Sequence, residues 1–143
     1  MLTGLSSRQH GAYTLGCYVP ETIPTVVSVL REEGYRTQAC GKLHLQPWGL
    51  ERTRKMRPGM VPDEYYSWED FNEWWEGRIT RLPKGYFGFE NADLVCGHTD
   101  YVAENYLQWL EREHPRWGGE LREKYHHKAW CYYENPDAEF PGG

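Results

Sequence analysis

The sequence predicts an α/β fold, because a helix pattern leads directly into a strand pattern and a second helix pattern follows later in the chain. Residues 22–33 place apolar side chains at the i, i+3, i+4 and i+7 positions of one helix face, namely Ile23, Val26, Val27 and Leu30. Gly34 then supplies a left-handed C-terminal cap. Residues 35–40 are predicted to form a short strand between Gly34 and Gly41. A helix followed at once by a strand is the basic unit of an α/β layer.

A second helix is predicted over residues 100–113, with Pro115 just past its end and Thr99 or Asp100 as its cap. Its apolar side would consist of Val102, Tyr106, Trp109 and Leu110. Residues 117–143 mix Gly, Pro, charged and aromatic residues without a period, and we expect them to form a long loop.

The beginning of the chain is expected to be the end of a helix, residues 1–5, which runs into a polar loop over residues 6–16. Within that loop His10 is interpreted as a turn residue bonded to the backbone, and Arg8 as solvent-exposed. Neither residue is predicted to take part in catalysis.

The composition predicts a thin, aromatic core. Only 25 of the 143 residues are Leu, Ile, Val or Phe, which is below the roughly one fifth typical of a self-sufficient domain. Seven Trp and eleven Tyr compensate in part because each buries a large area. The spacing of Trp68, Phe71 and Trp75 fits one face of a short helix, so packing in a core or interface is favoured over a sugar-stacking platform. A slice of a larger domain would have this composition.

Charge and cysteine usage exclude several classes of partner. The net charge of −5, from 16 Lys and Arg against 21 Asp and Glu, leaves no basic stripe for nucleic acid. No run of eighteen apolar residues occurs, so no membrane span is expected in this piece, and no signal peptide is recognised. The compartment, cytoplasmic or periplasmic, stays open. The cysteines lack Cys-x-x-Cys spacing and are expected to be reduced and structural: Cys17, Cys40, Cys96 and Cys131.

Lys42 and His44 are the candidate catalytic residues. They follow the predicted strand, and in open α/β sheets ligands bind in the crevice beyond the carboxyl ends of the strands. On an extended backbone both side chains would point the same way while Leu43 points into the core. A Lys ammonium suits a tetrahedral oxyanion such as sulfate or phosphate, and a neighbouring His can donate a hydrogen bond to the same group.

The surrounding segments resemble the sulfatase family of the alkaline-phosphatase superfamily. The matching pieces are Met1-Leu2-Thr3-Gly4, His10-Gly11, Ile23-Pro24-Thr25-Val26, Gly34-Tyr35-Arg36-Thr37 and Gly41-Lys42-Leu43-His44. The first is similar to the end of the family's first signature, whose Cys-x-Pro-Ser-Arg would lie just upstream, and the last completes its second signature. The order and spacing of these pieces make the resemblance specific.

The resemblance implies a partial catalytic domain over residues 1–143, strongest over residues 1–44, with a variable middle region over residues 47–143. It implies a three-layer fold with a mainly parallel central sheet. The intact enzyme would hydrolyse a small-molecule or carbohydrate sulfate ester. An upstream Cys converted to formylglycine would be the nucleophile, and Ca²⁺ would be held by ligands outside this piece. Lys42 would bind the sulfate oxygens, and His44 would hydrogen-bond the formylglycine hydroxyl and the sulfate. This piece alone is expected to be inactive.

Two alternatives stay open. The first is a phosphatase, phosphodiesterase or phosphonate hydrolase of the same superfamily, distinguished by Thr or Ser at the upstream nucleophile. The second is a truncated, non-catalytic binding module that uses the aromatic run of residues 65–75 as its contact surface. The adjacent His126 and His127 are interpreted as a solvated pair and not as metal ligands. No metal ligand is predicted within the chain itself.

Overall fold

The structure, a computed structural model, describes residues 2–14, 17–56, 58–97 and 102–134. These residues form a mixed α/β fold with six α-helices and a two-stranded sheet. In chain order the elements are α1 (Ser7–His10), α2 (Val26–Glu32), β1 (Gln38–Gly41), α3 (Leu50–Met56), α4 (Phe71–Trp75), β2 (Asn91–Leu94), α5 (Asn105–Glu113) and α6 (Pro115–Glu134). A 3₁₀ turn, Tyr86–Gly88, precedes β2.

The two strands lie parallel, with Gln38 opposite Asn91 and Gly41 opposite Leu94. The predicted α/β class is therefore confirmed at this coarse level, and the strand expected over residues 35–40 is present as β1. The sequence analysis did not predict β2, because its Asn-Ala-Asp-Leu sequence is poor in residues that favour strands. Parallel pairing brings the carboxyl ends of both strands to one edge of the sheet.

The predicted helix before β1 exists as α2, but it is shorter than expected. Thr25 caps its start by accepting a hydrogen bond from the Ser28 amide, so Pro24 lies outside the helix. Gly34 adopts the expected left-handed conformation with φ of 87°, and the Gly34 and Tyr35 amides donate to the last turn of the helix.

The predicted apolar face of α2 is only partly correct. Val27 is buried, and Ile23 packs against the core from just outside the helix. Val26 and Leu30, however, are 55% and 40% exposed. The reason is that α2 contacts the 3₁₀ turn through the backbone of Val27 and Ser28, and no other described element covers the opposite side.

The core is mainly aromatic, as the composition predicted. Its largest fully buried side chains include Trp74, Tyr86 and Phe71, and Trp75 stacks on Phe71 with ring centroids 5.6 Å apart. The helical stripe predicted in this region is confirmed for Phe71 and Trp75, which lie in α4. Trp68 precedes the helix and packs partly buried against the same cluster. Most of the aromatic run is thus core and not exposed surface.

The face predicted for the second helix is wrong. The helix begins at Asn105, and its buried residue is Leu107. Tyr106 and Trp109, which were expected inside, are 40% and 42% exposed. Val102 is buried but precedes the helix, and the expected caps at positions 99 and 100 lie outside the described residues.

The loop predicted from residue 117 onward is also wrong over its described part, because Pro115–Glu134 forms α6. Close packing against α5 explains this helix despite its weak periodicity. A Cβ at Gly118 would lie 2.7 Å from the Glu111 Cα, so the glycine lets the two helices touch. Arg122 pairs with Glu111 and lies over the Trp75 ring at 4.9 Å. The side chains of His126 and His127 lie outside the described ones.

The beginning of the chain differs from its prediction. Residues 2 and 3 form a turn and not the end of a helix, and a single helical turn, α1, lies within the expected loop. The interpretation of His10 is confirmed, because its Nδ1 accepts the Ala12 amide at 3.2 Å. Arg8 is exposed as expected. The three cysteines described are free, and no helix among the described residues is long and apolar enough to cross a membrane.

Candidate functional site

The candidate site begins where β1 ends. Lys42 follows the strand directly and is exposed, whereas His44 is half-buried. Leu43 between them packs against the hydrophobic core, as predicted. Lys42 and His44 therefore lie at the carboxyl edge of the sheet, and Leu43 between them fixes the segment to the core.

The backbone of His44 is left-handed, with φ of 55°. The assumption of an extended backbone through this residue is therefore wrong, and the chain turns sharply just after Leu43. A left-handed conformation costs a residue with a Cβ about 1–2 kcal/mol, so the surrounding structure must hold it in place. Strain of this kind is concentrated at functional sites.

Burial lowers the pKa of His44, and the positive charge of Lys42 lowers it further. Both effects disfavour the imidazolium, so the ring is neutral at pH 7. A neutral imidazole carries one donor and one acceptor nitrogen.

Two buried glutamates lie behind the segment, and the sequence analysis missed both. Glu69 is fully buried, and its Oε1 accepts the Leu45 amide at 2.9 Å and the Tyr86 hydroxyl at 2.8 Å. Its Oε2 lies 3.8 Å from the Cys96 sulfur. Burial raises the pKa of Glu69, and these hydrogen bonds oppose that rise. The only feature of the sequence that could have indicated Glu69 is its position as an acidic residue within the aromatic run.

The second carboxylate, Glu104, connects the end of β2 to the core. Its Oε1 accepts the Trp48 indole N–H at 2.6 Å. Its Oε2 accepts the backbone amides of Cys96 at 3.2 Å and Ala103 at 3.3 Å. This residue holds the turn after β2 in the way that Glu69 holds the turn after β1.

Gln46 extends the same network. Its side-chain amide donates to Glu21 at 2.7 Å, and its Oε1 accepts the Trp68 amide at 2.7 Å. Gln46 is fully buried, whereas its partner Glu21 is exposed. The turn after β1 is therefore fixed on both sides of Leu45.

A separate cavity of about 450 Å³ lies beside α3 and α4. Its wall mixes acidic and basic side chains, among them Arg54, Glu73 and Arg78, and it includes neither Lys42 nor His44. The pair Glu73 and Arg78 is bonded internally, which leaves this cavity without a net charge of one sign. It does not belong to the candidate site.

Within the described parts of the chain, no group of three or more His, Cys, Asp or Glu side chains could hold a metal ion. The calcium that the resemblance implies therefore finds no ligand set among these residues. Comparison of the chain with protein-family models, with curated proteins and with solved structures gives no match.

Proposed function

We propose that this chain is part of a sulfuric ester hydrolase of the alkaline-phosphatase superfamily, in which Lys42 and His44 bind the sulfate group. One observation carries the proposal: a Lys and a neutral His lie just beyond the carboxyl end of a strand in a parallel sheet. Ligands of α/β proteins bind at that edge. The two-stranded sheet would then be one part of the larger parallel sheet of a three-layer fold.

The chemistry of the two residues suits a sulfate ester. The Lys42 ammonium attracts the non-bridging oxygens and offsets the charge that develops on them during transfer. The neutral His44 ring donates one hydrogen bond to the same group and can accept another from a nucleophile's hydroxyl. In the intact enzyme a formylglycine and Ca²⁺ would supply the nucleophile and a further positive charge. Since no group of three or more acidic, His or Cys side chains among the described residues could hold a metal ion, we derive no step through calcium.

The first experiment is to translate the DNA upstream of the Met1 codon in frame. Cys-x-Pro-Ser-Arg just ahead of Met1 would support a sulfatase, since that Cys is the precursor of formylglycine. Thr or Ser in place of the Cys would assign the chain to the phosphatase branch of the superfamily, in which Lys42 and His44 would bind a phosphate group. An in-frame stop codon with a ribosome-binding site would contradict the enzymatic proposal and favour a non-catalytic product.

The second experiment measures hydrolysis of an aryl sulfate by the complete reading frame. Lys42→Ala and His44→Asn should each lower kcat/KM by about 100-fold, the effect of losing one donor to a developing oxyanion. Asn is chosen at position 44 because it tolerates a left-handed backbone. Lys84→Ala is the matched control, since Lys84 is exposed and lies outside the site. Wild-type rates in both site variants would overturn the proposed roles.

A further inference from the structure

The turn after β1 is folded around a buried anion. The Leu45 amide donates to Glu69 at 2.9 Å, and the neighbouring amides of His44 and Gln46 also help to lower the pKa of this carboxyl. Three successive amides that converge on one anion form a nest, and a nest requires a left-handed residue in the turn. His44 is that residue, with φ of 55°.

The carboxylate is fixed from its other side by the core. The Tyr86 hydroxyl donates to it at 2.8 Å, and Tyr86 is itself buried against Phe87. The Cys96 thiol, just after β2, lies 3.8 Å from it. Glu69 therefore links the turn after β1 to the end of β2 and cannot move without disturbing both.

We propose that Glu69 is a positioning residue for the candidate site: its carboxylate gathers the amides of residues 44–46 and thereby holds His44 in its left-handed conformation. Glu69 does not touch the substrate, and it acts through the backbone of His44. The inference rests on the proposed function only for the identity of the ligand that His44 binds.

The partners around Glu69 favour its ionised form. Amides and the Tyr86 hydroxyl are donors, and an ionised carboxylate is an acceptor only, so each bond is satisfied without a proton on the acid. Burial acts in the opposite direction and raises its pKa. The other titratable groups facing it are Tyr65 and Cys96, and the negative charge of Glu69 raises the pKa of both. They stay neutral while Glu69 titrates. The His44 ring also titrates in acid, so the step that belongs to Glu69 is identified by its loss in a Glu69 variant.

The test is an NMR titration of the ¹⁵N-labelled chain, which needs no substrate. The amide resonances of residues 44–46 should share one titration step in the acid range, with a midpoint above the ordinary value for Glu. In Glu69→Gln that step should vanish, and the His44 ring should titrate closer to 6.5 because the turn relaxes. Glu104→Gln is the matched control, since this Glu is equally buried but bonds other amides. The inference would be overturned if Glu69→Gln and Glu104→Gln both lost stability while the amides of residues 44–46 still shared the titration step in Glu69→Gln.

A milder variant covers the case in which Glu69→Gln does not fold. Tyr86→Phe removes only the hydroxyl that donates to Glu69, and this hydrogen bond is the largest contribution that lowers the pKa of the carboxyl. The shared step should therefore move to higher pH while the fold is kept. An unchanged midpoint would contradict the proposed geometry.

The intact enzyme provides a readout of function. Glu69→Gln should lower kcat/KM for the aryl sulfate in the wild-type background and have little further effect in a His44→Asn background, because both changes act on one side chain. Additive losses in this double-mutant cycle would show that Glu69 is merely structural. If the titration behaves as expected but the enzyme hydrolyses no sulfate ester, the proposed function fails while the positioning role stands.

Discussion

Gly88 is the position where one added methyl group should damage the fold most. Its backbone is left-handed with φ of 92°, and a Cβ there would lie 2.3 Å from the Ser28 amide nitrogen and 2.6 Å from the Ser28 Cα. Ordinary Cβ contacts begin near 3.4 Å. Gly88→Ala must therefore push the 3₁₀ turn away from the start of α2.

The cost can be estimated from what this movement breaks. The left-handed backbone alone costs an alanine about 1–2 kcal/mol. Separation of the turn from α2 also disrupts the bonds from the Thr25 hydroxyl to the Phe87 carbonyl, 2.7 Å, and from the Thr37 hydroxyl to the Gly88 carbonyl, 2.8 Å. Each buried hydrogen bond contributes about 1 kcal/mol. We expect Gly88→Ala to lower the free energy of unfolding by about 3 kcal/mol.

Gly34→Ala separates the cost of the left-handed backbone from the cost of the steric contact with α2. Gly34 has nearly the same φ, 87°, but a Cβ there would meet no atom within 4 Å. Its replacement should cost about 1 kcal/mol, the backbone contribution alone. In thermal unfolding followed by circular dichroism, the midpoint should fall by about 9 °C for Gly88→Ala and about 3 °C for Gly34→Ala. Equal losses would refute the close contact between the 3₁₀ turn and α2.

Two further predictions concern α2 and His44. Val27→Ala should lower the free energy of unfolding, measured by chemical denaturation, by about 2 kcal/mol because Val27 is buried. Val26→Ala should change it by less than about 0.5 kcal/mol, because Val26 is 55% exposed. Equal losses of stability in the two variants would show that Val26 is buried as well, as the sequence predicted. Folding lowers the pKa of His44 below its ordinary 6.5. The unfolded chain therefore binds more protons than the folded protein just below pH 6.5. The contribution of His44 to stability should consequently decrease as the pH falls through that range. The stability difference between the wild type and His44→Asn, measured at several pH values, should follow this trend, and a difference independent of pH would contradict the neutral, desolvated ring.

The sequence predicted the elements whose signals are local. Gly34 ends α2 through a cap that depends only on neighbouring residues, and the sequence predicted it. The Thr25 cap was not predicted, because the helix was expected to begin at residue 22. The faces of the helices were not predictable in the same way. Val26 fits the apolar stripe of α2 but stays exposed, because burial depends on which partner packs against the helix and not on the period alone. The same reason explains why Leu107, and not Trp109, is the buried residue of α5.

The candidate site shows the same division between local and distant causes. Lys42 and His44 were identified from a short segment, because a strand end followed by a cation and an imidazole is a local pattern. The left-handed conformation of His44 is, in our proposal, held from elsewhere by the carboxylate at position 69, which accepts the Leu45 amide beneath the turn. A sequence pattern with period 2 assumes an extended backbone, so it could not anticipate a left-handed residue held by a distant acid. Replacing Glu69 should consequently alter the site as much as a change to His44 itself, although all of α3 and the start of the aromatic run separate the two residues in the chain.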